Sequence, residues 1–494
     1  MRGNQRTAGE QSRKEGGKIF DSGSRNTVAI LVLIKLPGVV HSSVLHYKDV
    51  GDYLSREEKL RLLDEANLGT LEWKKVTPNA EGDWINQRDP NYEKYPPMSS
   101  KTAGMSIFSS GGMGIATSRD SWVYSPSTAQ LGATVAKLVG GYNSALEGWV
   151  SQGAPEPASD FLPNDPKIIN WSAGLRKRLL ARRALADADF GASLALYRPF
   201  NKVWVTRNLE LIERPAAIDR YFKGSHEGQL GIYQVGSGSA VPFSVIVTNA
   251  IPDLHVTGAG SGGQFFARYS YTHLDSNSLF DQPERVDNIT DWALDQYRDV
   301  YGPQVTKDDI FFYVYGLLHS TEYRERYAAD LKKQLPRIPM VSGRERFEAF
   351  VTAGRTLSEL HIGYEDIEPH QLTEVVSIAA PTDEYERFSV KKMKYGGKAG
   401  AWDKTRIRYN DFIDIEGIPV EAQEYMLGSR SGLDWIIERY QVKTDKASGI
   451  VNDPNDWSRE HEQSRYIIDL IGRITALSLK TMEIVNGLPT LEID

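Results

Sequence analysis

The sequence contains no cysteine, which excludes disulfide bridges, zinc sites built on thiolates and cysteine nucleophiles. It also lacks a long apolar run. The longest one, residues 28–34, is far shorter than the roughly 20 residues that a helix needs to cross a bilayer. From these two absences we expect a protein of the reducing cytoplasm with no membrane partner.

An excess of positive charge is also missing, since the formal net charge is −7 over 494 residues. A uniformly basic coat for nucleic acid is therefore excluded, and local patches must supply any such surface. The length allows about two to four domains. The 40% hydrophobic and 25% charged fractions are typical of an ordered globular protein.

Motifs for chemistry are scarce. The Pro-Pro pair at 96–97 lacks the polar and aromatic neighbours of an adenine methyltransferase loop. Neither Gly-Lys pair has the Ser or Thr of a nucleotide-binding P-loop. The Gly-x-Gly-x-x-Gly at 258–263 precedes a run typical of a strand, and Asp253-x-His255 lacks a third ligand. We therefore expect no catalytic, cofactor-binding or metal-binding residues in this chain.

The order of patterns predicts a chain that is β-rich first and helical later. An apolar, β-branched run at 27–34 predicts a strand buried on both faces, with residues 43–47 as its partner. Ser55-x-x-Glu58 predicts a helix start, and residues 194–271 read as strands cut by Gly and Pro. From Thr306 onward, apolar spacing predicts helices, including one over 323–335, one capped by Ser342-x-x-Glu345 and a closing helix ended by Gly487.

Two basic segments are candidates for contact with nucleic acid, a helix over 174–186 and a hairpin over 391–409. Lysine and arginine bind phosphates, and a two-stranded ribbon fits a major groove. The alternative for both is a solvated surface without a ligand. The candidate DNA-binding residues are Arg176, Arg178, Lys391, Lys392, Lys394, Lys398, Arg406 and Arg408.

Several sequence blocks resemble the carboxy-terminal specificity region of type ISP restriction-modification enzymes. They are Leu-Tyr-Arg-Pro-Phe-Asn-Lys at 196–202, Ile-Pro-Asp-Leu-His at 251–255, Val-Tyr-Gly-Leu-Leu-His-Ser at 314–320 and Lys-Thr-Asp-Lys-Ala-Ser-Gly-Ile-Val-Asn-Asp at 443–453. The start of the chain, with Arg-Gly-Asn-Gln-Arg at 2–6 before the apolar run, is similar to the last strands of the adenine methyltransferase domain in those enzymes.

The resemblance implies an α+β fold: the truncated end of an α/β, Rossmann-like methyltransferase domain, then a mixed β-rich and helical target-recognition domain. The implied regions are 1–50 for the methyltransferase strands, 51–160 for a connection with helix and hairpins, 161–300 for the β-rich part of target recognition, and 301–494 for its helical part with the basic hairpin.

The resemblance further implies sequence-specific recognition of double-stranded DNA, which positions an N6-adenine methyltransferase. S-adenosylmethionine would belong to the complete family enzyme, and the methyltransferase, helicase and nuclease portions could be a separate chain. Two alternatives stay open: a split subunit of an active DNA adenine methyltransferase, and a non-functional gene fragment.

Overall fold

The computed structural model describes residues 2–5, 9–20, 24–35, 37–38, 44–100, 104–186, 191–222, 228–271, 284–398 and 401–493. Its elements are mixed α and β, which confirms the α+β class. The strands are β1 (Leu45–Tyr47), β2 (Lys74–Val76), β3 (Gly112–Met113), β4 (Tyr124–Ser125), β5 (Ala192–Arg198), β6 (Asn201–Thr206), β7 (Gly231–Gln234), β8 (Val245–Thr248), β9 (Ile251–Pro252), β10 (Gln264–Ala267), β11 (Tyr269–Tyr271), β12 (Arg285–Asp287), β13 (Thr373–Val376), β14 (Lys394–Lys398), β15 (Ala401–Arg408), β16 (Ile413–Glu416), β17 (Met426–Leu427), β18 (Arg430–Ser431), β19 (Lys443–Thr444) and β20 (Val451–Asn452). The helices are α1 (Gly9–Glu15), α2 (Arg56–Asp64), α3 (Asp120–Val123), α4 (Thr128–Ser151), α5 (Ala173–Leu180), α6 (Ala216–Tyr221), α7 (Asp291–Tyr301), α8 (Lys307–Leu317), α9 (Thr321–Arg326), α10 (Ala328–Leu331), α11 (Arg344–Ile362), α12 (Glu384–Arg387), α13 (Gly432–Arg439), α14 (Asn455–Glu460) and α15 (Tyr466–Asn486).

Three four-stranded sheets carry most of the β structure, in the orders β3-β10-β7-β8, β4-β6-β5-β9 and β13-β16-β15-β14. Most neighbours in them are antiparallel, and β5 and β9 run parallel. Every residue of β7 and β8 is buried, so these strands need apolar residues on both faces. The predicted β-rich segment is thus confirmed.

Several predicted helix ends are confirmed. At α2, the Ser55 side chain accepts a hydrogen bond from the Glu58 N–H, and the Glu58 carboxylate accepts one from the Ser55 N–H, which is the predicted capping box. The C-cap of α15 is Gly487, also as predicted. None of the described helices is both long enough and apolar enough to cross a membrane.

Two helix predictions are wrong. The helix expected over 323–335 is divided into α9 and α10 by a turn at Tyr327, which places the Tyr327 ring 4.8 Å from that of Tyr92. The N-cap of α11 is Gly343 instead of Ser342, and no side chain caps the helix. Ser342 lies one residue too early, where its N–H donates to the Glu492 carbonyl beside a β-bridge between Val341 and Ile493.

The buried strand expected at 27–34 is also corrected. Residues 27–35 form no strand, and Ile30 to Ile34 are exposed, Leu33 by 82%. The predicted partner at 45–47 is a strand, β1, but it pairs with β2; Ser43 lies outside the described residues. A strand needs a neighbouring strand to pair with, and composition alone does not provide one.

Three hydrophobic cores hold the molecule together. The first joins the sheets of β4-β6-β5-β9 and β13-β16-β15-β14 to α13 and α15. The second surrounds α7, α8 and α11 and also takes residues from the segment 92–108 and from β7 and β8. The third packs α4 and α5 around Trp122. The first core positions the basic hairpin, because Ile407 of β15 and Ile413 and Ile415 of β16 are buried in this core.

Candidate nucleic-acid interface

The basic helix is shorter than predicted, because α5 ends at Leu180 and Arg182 adopts a positive φ of 53°. Arg176 lies over the Trp171 ring, 5.7 Å from its centroid. Arg178 forms an ion pair with Glu210 at 2.6 Å and donates to the Ala184 carbonyl. The basic residues of this segment therefore do not form one continuous helical stripe.

The predicted basic hairpin is confirmed and is made by β14 and β15; residues 399–400 lie outside the described residues. Since β15 also pairs with β16, strand β14 is the edge of its sheet. The register shifts between Tyr395 and Gly396, so that β15 is bulged there. A bulged edge ribbon curves away from its sheet and presents one face to solvent.

The two strands of the ribbon differ in whether their positive charges have acidic partners. On β15, Arg406 forms ion pairs with Asp414 and Glu416, and Arg408 lies 3.5 Å from Asp414. Lys404 lies 3.3 Å from a carboxylate oxygen of Asp434. The acids of β16 and α13 thus neutralise much of the positive charge of β15.

On the edge-strand side the lysines are exposed, and the described residues include no ion-pair partner for them. They are Lys391, Lys392, Lys394 and Lys398. The two aromatic residues of the ribbon differ as well: Tyr395 is buried and donates from its hydroxyl to Gln423, whereas Trp402 is 42% exposed. One side of the ribbon is therefore anchored in the first core, and the other carries unpaired cations.

A further group of charges lies beside this ribbon, outside both predicted basic segments. We call Arg430, Glu438, Arg439 and Lys443 the Glu438 cluster. The Arg430 Nε atom lies 2.7 Å from a Glu438 carboxylate oxygen, and an Arg439 terminal nitrogen lies 3.6 Å from the other. The Lys443 ammonium donates to the Glu438 carbonyl at 3.3 Å. Three cations thus converge on one acidic residue.

The cluster is built by α13. Ser431 and Asp434 form a capping box at its start, and Arg430, one residue earlier, lies over the Trp435 ring at 4.9 Å and so reaches Glu438. The ribbon adjoins it, because the Val442 N–H donates to the Lys391 carbonyl at 3.0 Å. The capping box is the sequence signal from which this helix could have been predicted. Arg430 then lies just before the helix and Arg439 at its end.

The charges of the cluster affect each other. Partial desolvation lowers the pKa of Lys443; the charges of Arg439, Lys392 and Arg430 lower it further, and Glu438 opposes them. Burial lowers the pKa of Arg439, with the charges of Arg198 and Arg430 acting in the same direction. Around Lys443, three cations therefore lower the pKa and one acid raises it.

A buried ion pair supports the cluster from below. Arg198 donates to the Asp253 carboxylate at 2.9 Å, and the same carboxylate accepts hydrogen bonds from the Tyr124 hydroxyl and the His255 N–H. Burial raises the pKa of Asp253 and the charge of Arg198 opposes this. The Tyr197 ring lies between the guanidinium groups of Arg198 and Arg439, at 4.0 Å and 5.8 Å.

Other motifs fit no cofactor site. The Gly-rich segment 258–263 is a loop, and strand β10 follows it where a dinucleotide fold needs a helix. Asp253 of the Asp-x-His pair is engaged with Arg198. Within the described residues no group of three His, Asp or Glu side chains has the geometry to hold a metal ion.

Comparison with known proteins gives one family and several solved structures. Residues 106–470 match the family described as the Type ISP C-terminal specificity domain. The chain superimposes over its full length on a nuclease-deletion mutant of the Type ISP restriction-modification enzyme LlaGI in complex with a DNA substrate mimic, with 36% identity and a TM-score of 0.83. No curated protein matches the sequence.

Two further solved structures are also similar over the full chain. The ATP-dependent Type ISP restriction-modification enzyme LlaBIII bound to DNA shares 30% identity at a TM-score of 0.83. A DrdV–DNA complex shares 28% identity at a TM-score of 0.81. The chain spans 43%, 30% and 47% of the lengths of the LlaGI, LlaBIII and DrdV chains.

Proposed function

This chain belongs to the Type ISP C-terminal specificity domain family, and from that premise we propose that it recognises a specific site on double-stranded DNA for a restriction-modification system. One observation carries the proposal: the chain superimposes over its whole length on LlaGI and LlaBIII, whose structures contain DNA or a mimic of it. Target recognition positions an N6-adenine methyltransferase on its base, which such enzymes extrude from the helix.

The edge of the ribbon gives this function a physical basis. Exposed lysines without carboxylate partners are free to exchange their counterions for DNA phosphates, which is favourable because it releases ions into solution. Lys391, Lys392, Lys394 and Lys398 have this property. Phosphate contacts of this kind set the register of a protein on DNA, and contacts with base edges then supply specificity.

The remaining candidates act differently within the same proposal. Arg176 is stacked on Trp171, and Arg178, Arg406 and Arg408 are held in ion pairs. We assign Arg178, Arg406 and Arg408 a part in binding only where a phosphate replaces the present acidic partner, and Arg176 only where it leaves the Trp171 ring. Regions 161–300 and 301–494 together form the recognition domain in this proposal, and 51–160 connects it to the preceding part.

For residues 1–50 we propose the last strands of a Rossmann-like methyltransferase sheet. The exposed apolar run at 30–34 supports this, because five consecutive apolar side chains in water require a covering partner. The partner would be the remaining methyltransferase strands, on the same chain or a separate one. S-adenosylmethionine binding and catalysis would then depend on that portion, as in a split DNA adenine methyltransferase.

The test is a mobility-shift titration of labelled duplex DNA at several salt concentrations. The chain should bind duplex, and changing Lys394 and Lys398 to Gln should lower both affinity and its salt dependence, by a slope of about 0.9 for each lost phosphate contact. A matched control changes Lys74 and Lys75, exposed lysines of β2, and should retain the slope. Failure of the folded wild-type chain to bind any duplex at low salt would overturn the proposal.

A further inference from the structure

We propose that the Glu438 cluster is a binding site for one backbone phosphate of duplex DNA, and that the Glu438 carboxylate holds Arg430 and Arg439 in place until the phosphate arrives. The inference rests on the proposed function and deepens it, because it assigns a phosphate contact to residues outside both predicted basic segments. It also assigns Glu438 the role of an internal substitute for the phosphate.

The first argument is the convergence of three cations from three elements. Arg430 comes from β18, Arg439 from the end of α13 and Lys443 from β19. All three contact Glu438, two through its carboxylate and Lys443 through its carbonyl. Two guanidinium groups on one carboxylate, with an ammonium group beside them, form a donor set that suits a phosphate.

The second argument is that the cluster is not neutral. One carboxylate faces three cations, and Lys392 adds to their field. Strand β15 provides a contrast within the same protein. Arg406 pairs with Asp414 and Glu416, and Arg408 pairs with Asp414, so that two cations meet two acids. A purely structural group of charges needs only such a balance, whereas the Glu438 cluster retains capacity for another anion.

The third argument is an unused donor. The Nε atom of Arg439 is buried and has no hydrogen-bond partner within the described residues. A buried donor without an acceptor costs stability, so the present neighbours of the Arg439 guanidinium do not satisfy all of its donors. The side chain of Arg439 is held between the Tyr197 ring and Glu438, so little reorganisation is needed.

The fourth argument is continuity with the ribbon. The hydrogen bond from the Val442 N–H to the Lys391 carbonyl holds Lys391 and Lys392 beside Lys443. The cations just before β14 and those of the Glu438 cluster therefore belong to one surface. A single DNA strand passing over this surface would meet the ribbon lysines and the cluster in succession.

The experiment measures duplex affinity by fluorescence anisotropy at several salt concentrations for wild type, Glu438→Gln and Lys443→Gln. Lys443→Gln should weaken binding and reduce the salt slope by about 0.9, the loss of one phosphate contact. Glu438→Gln should strengthen binding by roughly fivefold, the upper range for one exposed ion pair, because the phosphate no longer displaces a carboxylate. A structural role for Glu438 predicts the opposite sign, since its loss would loosen the cations.

The matched control is Glu348→Gln, which removes the same charge from an exposed ion pair with Arg344 on α11. Its effect on affinity measures the change in net charge alone, and thermal unfolding of each variant confirms that it is folded. Suppose that wild type binds DNA, that Glu438→Gln changes the affinity no more than Glu348→Gln does, and that Lys443→Gln binds like wild type. The phosphate site is then refuted, and the proposed function stands. If wild type itself does not bind, the proposed function fails first.

Discussion

At the scale of single residues, the buried ion pair of Asp253 with Arg198 contributes to the stability of the protein beneath the candidate interface. Its carboxylate is buried and pairs with Arg198, whose side chain is 13% exposed. Asp253→Ala should lower the free energy of unfolding by about 3–5 kcal/mol, because the Arg198 charge would stay buried without a partner. Urea unfolding followed by circular dichroism measures this change.

The control for Asp253 is an ion pair of the same type in solvent. Arg344 and Glu348 are both 54% exposed in side-chain area, so Glu348→Ala should change the free energy of unfolding by less than about 1 kcal/mol. Equal losses in the two variants would mean that burial does not determine the strength of the Arg198 pair.

Histidine protonation is a second property of individual residues. His361 is fully buried between Tyr315 and Thr481, and burial lowers its pKa to about 3. Below a pH of about 6.5 the unfolded chain takes up a proton at this position that the folded chain does not. The free energy of unfolding should therefore be largest above pH 6.5 and fall by up to about 1.4 kcal/mol per pH unit for this residue on acidification.

This pH dependence is checked by urea titrations at pH 7.5, 6.5 and 5.5. His361→Gln should flatten the decline between pH 6.5 and 5.5, whereas His46→Gln, at an exposed position, should leave it unchanged. His319 is buried too, with a pKa held well below 6.5 by desolvation, so part of the decline remains in His361→Gln. An unaltered decline in that variant would contradict the assignment.

At the scale of elements, the crossing of α8 and α11 depends on two glycines. A methyl group at Gly354 would overlap the Phe312 carbonyl, and one at Gly316 would overlap the Phe350 carbonyl. Gly354→Ala should therefore destabilise the protein by about 1–3 kcal/mol or more, because the two helices must separate. The expected observation is a lower melting temperature by calorimetry.

Gly140 provides the opposite case. It lies within α4, and a methyl group there would meet no atom within 4 Å. Gly140→Ala should stabilise the protein by about 0.5–1 kcal/mol through helix propensity. If both glycine variants changed stability in the same direction, the close approach of α8 and α11 would not explain the result.

Elements that depend on nearby residues could be predicted from the sequence. The capping box of α2, the ribbon of β14 and β15 and the end of α15 each follow from residues close together in the chain. The turn at Tyr327 could not, because it forms around the Tyr92 ring from a distant segment. The run at 27–34 was assigned to a strand because its composition indicates one, but pairing depends on a partner and composition does not supply it.

The candidate interface was predictable only in part for the same reason. A run of lysines at 391–398 is visible in the sequence, and its exposure is confirmed. Arg430, Arg439 and Lys443 are separated by acidic and apolar residues, and no local pattern connects them. They meet because Arg430 and Arg439 both reach the Glu438 carboxylate of α13, and the chain after α13 returns Lys443 to the Glu438 carbonyl.

At the scale of the whole molecule, the cores do not follow the order of the chain. The second core combines residues of 92–108 and 232–266 with those of 289–357 and with Leu491. Helix α15 contributes to the first core along most of its length, and Ile484 near its end packs against the second. The first and second cores therefore need segments that are hundreds of residues apart.

This interleaving limits how DNA specificity can be exchanged between relatives. A chimaera joined at about residue 300 would combine half of one enzyme's second core with half of another's. Side-chain volumes that do not match in a close-packed interior lower the stability of the fold. Successful hybrids should keep the complete stretch from the first aromatic residues of that core to the C-terminus from one parent, and alter the reading of DNA by point changes on the outer surface of the ribbon.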